Sequence, residues 1–116
     1  MKIQFERTPN AICAVLYEPG ECDRTINVDR ASDAFRVFKL SNELAALNID
    51  PTALKPLDAL FTYARIVCVE IEQRAGGRWR VEVAYWCKGL GTLVQHETEA
   101  SSLLVALTQA LTGIDV

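Results

Sequence analysis

Five side chains of this sequence invite a chemical role: the only histidine, His96, and the four cysteines, Cys13, Cys22, Cys68 and Cys87. A cysteine beside a histidine can act as a nucleophile with its base, provided the two come within about 2.6–3.2 Å. Glu70 and Glu82 raise a second option, since facing carboxylates can share a proton or bind a hard cation. The glycines at 76, 77, 89 and 91 raise a third, a loop that cradles phosphate. Other chemistries lack their motif. There is no C-x-x-C pair, and one histidine cannot complete a common zinc set. Nor does the chain contain G-x-S-x-G, H-E-x-x-H or a calcium-loop pattern.

Whether these groups meet depends on the elements that carry them. Lys2 to Glu6 alternates charged with apolar and reads as a strand. Thr8-Pro9-Asn10 is turn chemistry, and Ile12 to Tyr17 is an apolar run, which completes an N-terminal hairpin over 2–17. Residues 18–28 read as a loop with an extended piece at Thr25 to Val28. Asp29 or Ser32 can cap a helix over 30–48, where Val37, Leu40, Leu44 and Leu47 make one apolar stripe. After Asp50-Pro51, a short helix is expected over 56–64 with Leu57, Leu60, Phe61 and Ala64 facing inward. Strands over 65–74, 78–88 and 92–97 form a meander. A last helix over 99–112 follows, with Thr98 as N-cap and a stripe of Ala100, Leu103, Leu104, Leu107, Leu111 and Ile114.

Register then decides the chemistry. An Ala75-Gly76-Gly77 loop keeps Val67, Val69 and Ile71 on the face of Trp79, Val81, Val83, Tyr85 and Cys87. It pairs Ile71 with Val81, Val69 with Val83, and Glu72 with Arg80, so opposite charges meet. A second three-residue turn, Gly89-Leu90-Gly91, pairs Cys87 with Leu93 and Trp86 with Val94. Cys68 then faces Ala84, which faces His96, leaving thiol and imidazole two strand spacings apart, about 9–10 Å. That is too far for a nucleophile and its base. Glu70 and Glu82 do face each other, but Arg80 and Glu72 beside them make a solvated charge ladder. Both glycine clusters are hairpin turns, because neither leads from a strand into a helix. Cys68 and Cys87 lie in apolar strands and read as reduced structural thiols.

The same register gives the sheet two apolar regions. One face, with Val67, Val69, Ile71, Trp79, Val81, Val83 and Tyr85, needs helices over it. On the other, Ile66, Cys68, Ala84, Trp86 and Val94 form a second patch, covered either by the N-terminal third or by a partner. Ile66, Trp79, Ala84, Trp86 and Val94 are the expected interface residues, since tryptophan is enriched among binding hot spots. The fold class that follows is α+β: an antiparallel sheet, with a three-stranded meander over 65–97 plus the N-terminal hairpin, packed with helices as an α/β/α sandwich. All 116 residues fit one domain.

Composition narrows the function classes. With 12 basic residues against 15 acidic and no basic stripe, nucleic acid is a disfavoured partner. Half of the residues are hydrophobic, too many for a disordered chain. No apolar run approaches the roughly 18 residues that span a bilayer. The alternating start, Met1 to Arg7, excludes a secretory h-region, so an intracellular setting is expected.

Helix, three strands and helix in that order resemble the double-stranded-RNA-binding domain, with Trp79 to Leu111 as the similar part. That family meets phosphates with lysines where this chain has Glu97-Thr98-Glu99-Ala100-Ser101. Only the topology is therefore implied. The aromatic-led strand Trp79 to Val83, the short hairpin and the Thr98 to Leu111 helix are similar to small phage-encoded ABA-sandwich domains. This resemblance implies an accessory domain without catalysis, in a class that also holds inhibitors such as anti-CRISPR proteins. The expected function is thus a small non-enzymatic module that binds another protein or a second copy of itself, with no cofactor. A nucleic-acid module is the first alternative and a cysteine-dependent enzyme the second.

Overall fold

Six strands join into one sheet, and the buried apolar residues of the first, second, fourth and fifth gather on one side of it. The computed structural model describes residues 2–7, 11–17, 24–29 and 51–116. The strands are β1 (Lys2–Arg7), β2 (Ala11–Tyr17), β3 (Arg24–Asp29), β4 (Ile66–Gln73), β5 (Trp79–Trp86) and β6 (Leu93–Ala100). They form an antiparallel α+β sheet in the order β3-β2-β1-β4-β5-β6. Two helices pack with it, α1 (Leu54–Thr62) and α2 (Leu103–Gly113), and a 3-10 turn at Pro51–Ala53 leads into α1. The helix expected over 30–48, which would supply the third layer of an α/β/α sandwich, lies outside the described residues.

The N-terminal hairpin does not stack on the meander as a separate layer. It widens the same sheet, because β1 pairs with β4 and sets Ile3 opposite Ile71 and Phe5 opposite Val69. The extended piece expected at Thr25 to Val28 is a full strand at the far edge. On the inner side, Ile3, Phe5, Ile12, Ala14, Val69, Ile71, Val81, Val83 and Tyr85 are buried in one core cluster. Arg7 fastens β1 to the start of β4. Its Nε donates to the Ile66 carbonyl at 2.7 Å, and its Nη2 donates to the carbonyls of Phe61 and Tyr63 at 2.8 and 2.9 Å. The guanidinium also lies over the Phe61 ring, 5.5 Å from its centroid.

The β4–β5 register is the expected one. Ile71 pairs with Val81, Val69 with Val83, Glu72 with Arg80 and Glu70 with Glu82. Gly76 and Gly77 both take positive φ in the connecting turn, where a Cβ would be strained. One irregularity lies between Ile66 and Cys68, where the register shifts at Val67. Ile66 therefore pairs with Tyr85 and is buried in the core.

The β5–β6 register differs from expectation by one residue. Trp86 pairs with Leu93 and Tyr85 with Val94. The connection is a four-residue turn, Lys88 to Gly91, closed by Cys87 N–H to the Thr92 carbonyl and Gly91 N–H to the Cys87 carbonyl, each at 2.9 Å. Gly91 supplies the left-handed residue it needs, with φ 66. A one-residue slip exchanges the two faces of a strand. Val94, His96, Thr98 and Ala100 thus face the helices, and Leu93, Gln95, Glu97 and Glu99 face out. The alternative would have set Glu97 against Val83 on the covered side, where an unpaired carboxylate is costly.

The strand also runs further than expected, to Ala100, so Thr98 is not the N-cap of the last helix. Ser102 is, its Oγ accepting from Val105 N–H at 3.1 Å. Thr98 Oγ1 instead donates to the Ala106 carbonyl at 2.8 Å and holds strand to helix. The buried face of α2 is Leu103, Ala106, Leu107 and Ala110, while Leu104 points to solvent. In α1, Leu57, Leu60 and Phe61 are buried as expected, and Ala53 joins them. Pro56 sits in the first turn, where its missing N–H has no helical partner to lose. The helix stops at Thr62, so Ala64 is exposed beyond it.

Candidate functional site, the open face of the sheet

The side of the meander turned away from α1 and α2 is built from cross-strand rows. One row reads Lys2, Glu72, Arg80, Glu99 across β1, β4, β5 and β6. The next reads Gln4, Glu70, Glu82, Glu97, and the one after it Glu6, Cys68, Ala84, Gln95. The β5–β6 hairpin then adds Trp86 beside Leu93.

Arg80 organises the charged rows. Its Nη1 donates to Glu70 Oε1 at 3.2 Å, its Nη2 bonds Glu82, and its Nε lies 3.2 Å from Glu97 Oε2. The side chain is only 11% exposed. Burial pulls its pKa down, but the charges of Glu82 and Glu97 and the hydrogen bonds accepted by Glu97 and Glu70 more than reverse this, so the guanidinium titrates above its ordinary value. Lys2 Nζ adds a weaker contact to Glu70 at 3.7 Å. At the end of the hairpin, Arg74 bridges Glu72 and Glu99, and Arg78 joins Glu99 at 3.2 Å. Glu70 and Glu82 therefore face each other with a guanidinium between them, which offsets their mutual repulsion. Among the described residues, no set of three or more His, Cys, Asp or Glu side chains is placed to hold a metal ion.

Cys68 and His96 do not come together. They sit on opposite faces, Cys68 level with Ala84 on the open side and His96 level with Val83 on the helix side. Burial pushes the Cys68 thiol up; a hydrogen bond from Gln4 Nε2 at 3.5 Å opposes this, and the charges of Glu6, Glu70 and Glu82 add to it. A raised thiol is a poor nucleophile near neutral pH. Cys87 is buried, its Sγ donating to Asp115 Oδ2 at 3.7 Å, and Cys13 is half-buried on β2. Cys22 lies outside the described residues.

The five expected interface residues do not share a face. The bulge at Val67 sends Ile66 into the core, and the β5–β6 slip turns Val94 to the helix side, where it packs on that core with Trp79. Only Ala84, half-buried, and Trp86, 47% exposed, remain on the open side. The apolar corner that does form is Trp86 with Leu93, 49% exposed, and Leu90 at the turn, 71% exposed. Leu90 was legible as a solvent-facing apolar residue, since it stands between two turn glycines. Leu93 was not, because its face depends on whether the turn has three residues or four.

No helix among the described residues is long and apolar enough to cross a membrane. No protein-family model, no curated protein and no solved structure matches the chain.

Proposed function

We propose that this chain is a non-enzymatic module that binds another protein through the corner formed by Trp86, Leu90 and Leu93. The observation that carries the reading is the exposed Trp86–Leu93 cross-strand pair at the end of a face whose neighbouring rows on β4, β5 and β6 are mostly charged and polar. Burying such a pair against a partner recovers apolar area that folding leaves in water, at about 25 cal/mol per Å². Tryptophan in such a position is a frequent anchor of interfaces, and the charged rows beside it suit the polar rim. The separation of Cys68 from His96 supports a binding role over a cysteine-dependent one. The outward carboxylates of Glu97 and Glu99 weigh against a phosphate backbone as the ligand. An accessory or inhibitory role of the kind found in small phage proteins is one setting for such a module.

A photoreactive residue placed at position 90 in the full chain tests this in the cells that make it. The expected result is a cross-linked adduct to one defined protein, abolished by Trp86→Ser combined with Leu93→Ser. Absence of an adduct, or an adduct indifferent to those two changes, would overturn the reading.

A further inference from the structure

Among the described residues the meander ends in an unpaired edge at β6, and the side chains along that edge are graded from apolar to acidic. Among the described residues, β6 pairs only with β5. Because Cys87 N–H bonds the Thr92 carbonyl, the alternation of an antiparallel ladder leaves the backbone groups of Leu93, Gln95, Glu97 and Glu99 pointing outward from the edge. These four are also exposed. An edge of this kind accepts a further strand.

The charges say what that strand carries. Arg74 and Arg78 balance Glu72 and Glu99, two cations against two carboxylates. Among the described residues, Lys2 and Arg80 face three, Glu70, Glu82 and Glu97. The unbalanced negative charge reaches the edge at Glu97, which is 51% exposed. Four residues earlier on the same face stands Leu93, continuing the apolar row from Trp86. A second copy of this chain is a poor occupant, since pairing two β6 edges sets acidic strands side by side.

Building on the protein-binding role, we infer that β6 captures an extended segment of its partner as a seventh, antiparallel strand, with a Lys or Arg facing Glu97 and an apolar residue four positions later facing Leu93. The backbone supplies the pairing, the basic residue meets the excess charge, and the apolar residue extends the Trp86–Leu93 row.

The test titrates the full-length, isotope-labelled chain with the acetylated peptide Thr-Val-Lys-Val-Thr-Thr-Leu-Thr, followed by amide shifts and hydrogen exchange. The expected result is that the amides of Leu93, Gln95 and Glu97 shift and exchange more slowly. A peptide with Glu in place of Lys should bind about five-fold more weakly or worse, and N-methylation of the Thr that faces Gln95 should abolish binding. Lack of binding, equal binding of the Lys and Glu peptides, or shifts at Trp86 and Leu90 without slowed exchange at Gln95 and Glu97 would each overturn strand capture. So would mass doubling that protects β6 without peptide. The adduct formed from position 90 is read separately, so strand capture can fail while the protein-binding role stands.

Discussion

Replacing Gly113 by alanine should leave the protein no more stable or destabilise it, although the same change in an ordinary helix stabilises it. Gly113 is the last residue of α2 and is not among the glycines with positive φ. Alanine there should therefore gain up to about 1 kcal/mol from helix propensity. His96 cancels or reverses this gain. A methyl group on Gly113 would stand 2.5 Å from His96 Nε2 and 2.8 Å from Cε1, inside normal contact distance. The imidazole must turn, at about 0.5–1.5 kcal/mol for an off-rotamer side chain, or strand and helix must part, at about 1–3 kcal/mol. The balance runs from about zero if the imidazole turns to a loss of about 2 kcal/mol if the backbone moves. Removing the ring with His96→Ala should restore the propensity gain, so the two changes should couple by about 1–3 kcal/mol. Urea unfolding of wild type, both single variants and the double variant measures this directly. If Gly113→Ala stabilises equally with and without His96, the close approach of β6 and α2 described here is wrong.

Arg80→Ala should cost about 2–3 kcal/mol, because it leaves the carboxylates of Glu70, Glu82 and Glu97 together around a largely buried site. Arg80→Lys should recover only part of this, since an ammonium cannot match the three-way guanidinium contact; full recovery in urea midpoints would contradict it. Cys68 predicts an alkaline effect. Its thiol pKa is raised in the folded state, so its contribution to stability is complete below the unfolded value, near 8.5, and is lost as pH rises through the folded value. Stability should fall between neutral pH and pH ~10 more steeply for wild type than for Cys68→Ala, and parallel profiles would refute the assignment.

The β4–β5 hairpin was legible because three independent signals agree on it. Alternation, the Glu72–Arg80 pairing and a two-glycine turn admit one register. The next hairpin offered less. Gly89-Leu90-Gly91 tolerates a three- or a four-residue loop, and the decisive hint was the parity of Glu97 and Glu99, which must both face water. A last helix starting at Glu99 hid that hint by assigning Glu99 to the wrong element. The Val67 bulge carries no local mark, so Ile66 was placed on the wrong side. Nor does any short-range pattern say that β1 pairs with β4, because that contact joins residues more than sixty positions apart. The candidate site suffered most, since Ile66, Val94 and Leu93 each depended on one of these single-residue shifts.

The Arg7 clamp has a consequence for the order in which the chain can assemble. Its three carbonyl acceptors, on Phe61, Tyr63 and Ile66, are made long after Arg7 itself. During synthesis β1, β2 and β3 therefore emerge first, with Ile3, Phe5, Ile12 and Ala14 still lacking the strand that completes their sheet. Until α1 and α2 follow, the apolar face of these strands has neither of those helices to cover it. Closure waits for β4, and such distant pairing is intrinsically slow. The newborn N-terminal segment is thus the stretch most exposed to chaperones and to mispairing, and a nascent chain stalled before Ile66 should be far more sensitive to protease than the released protein.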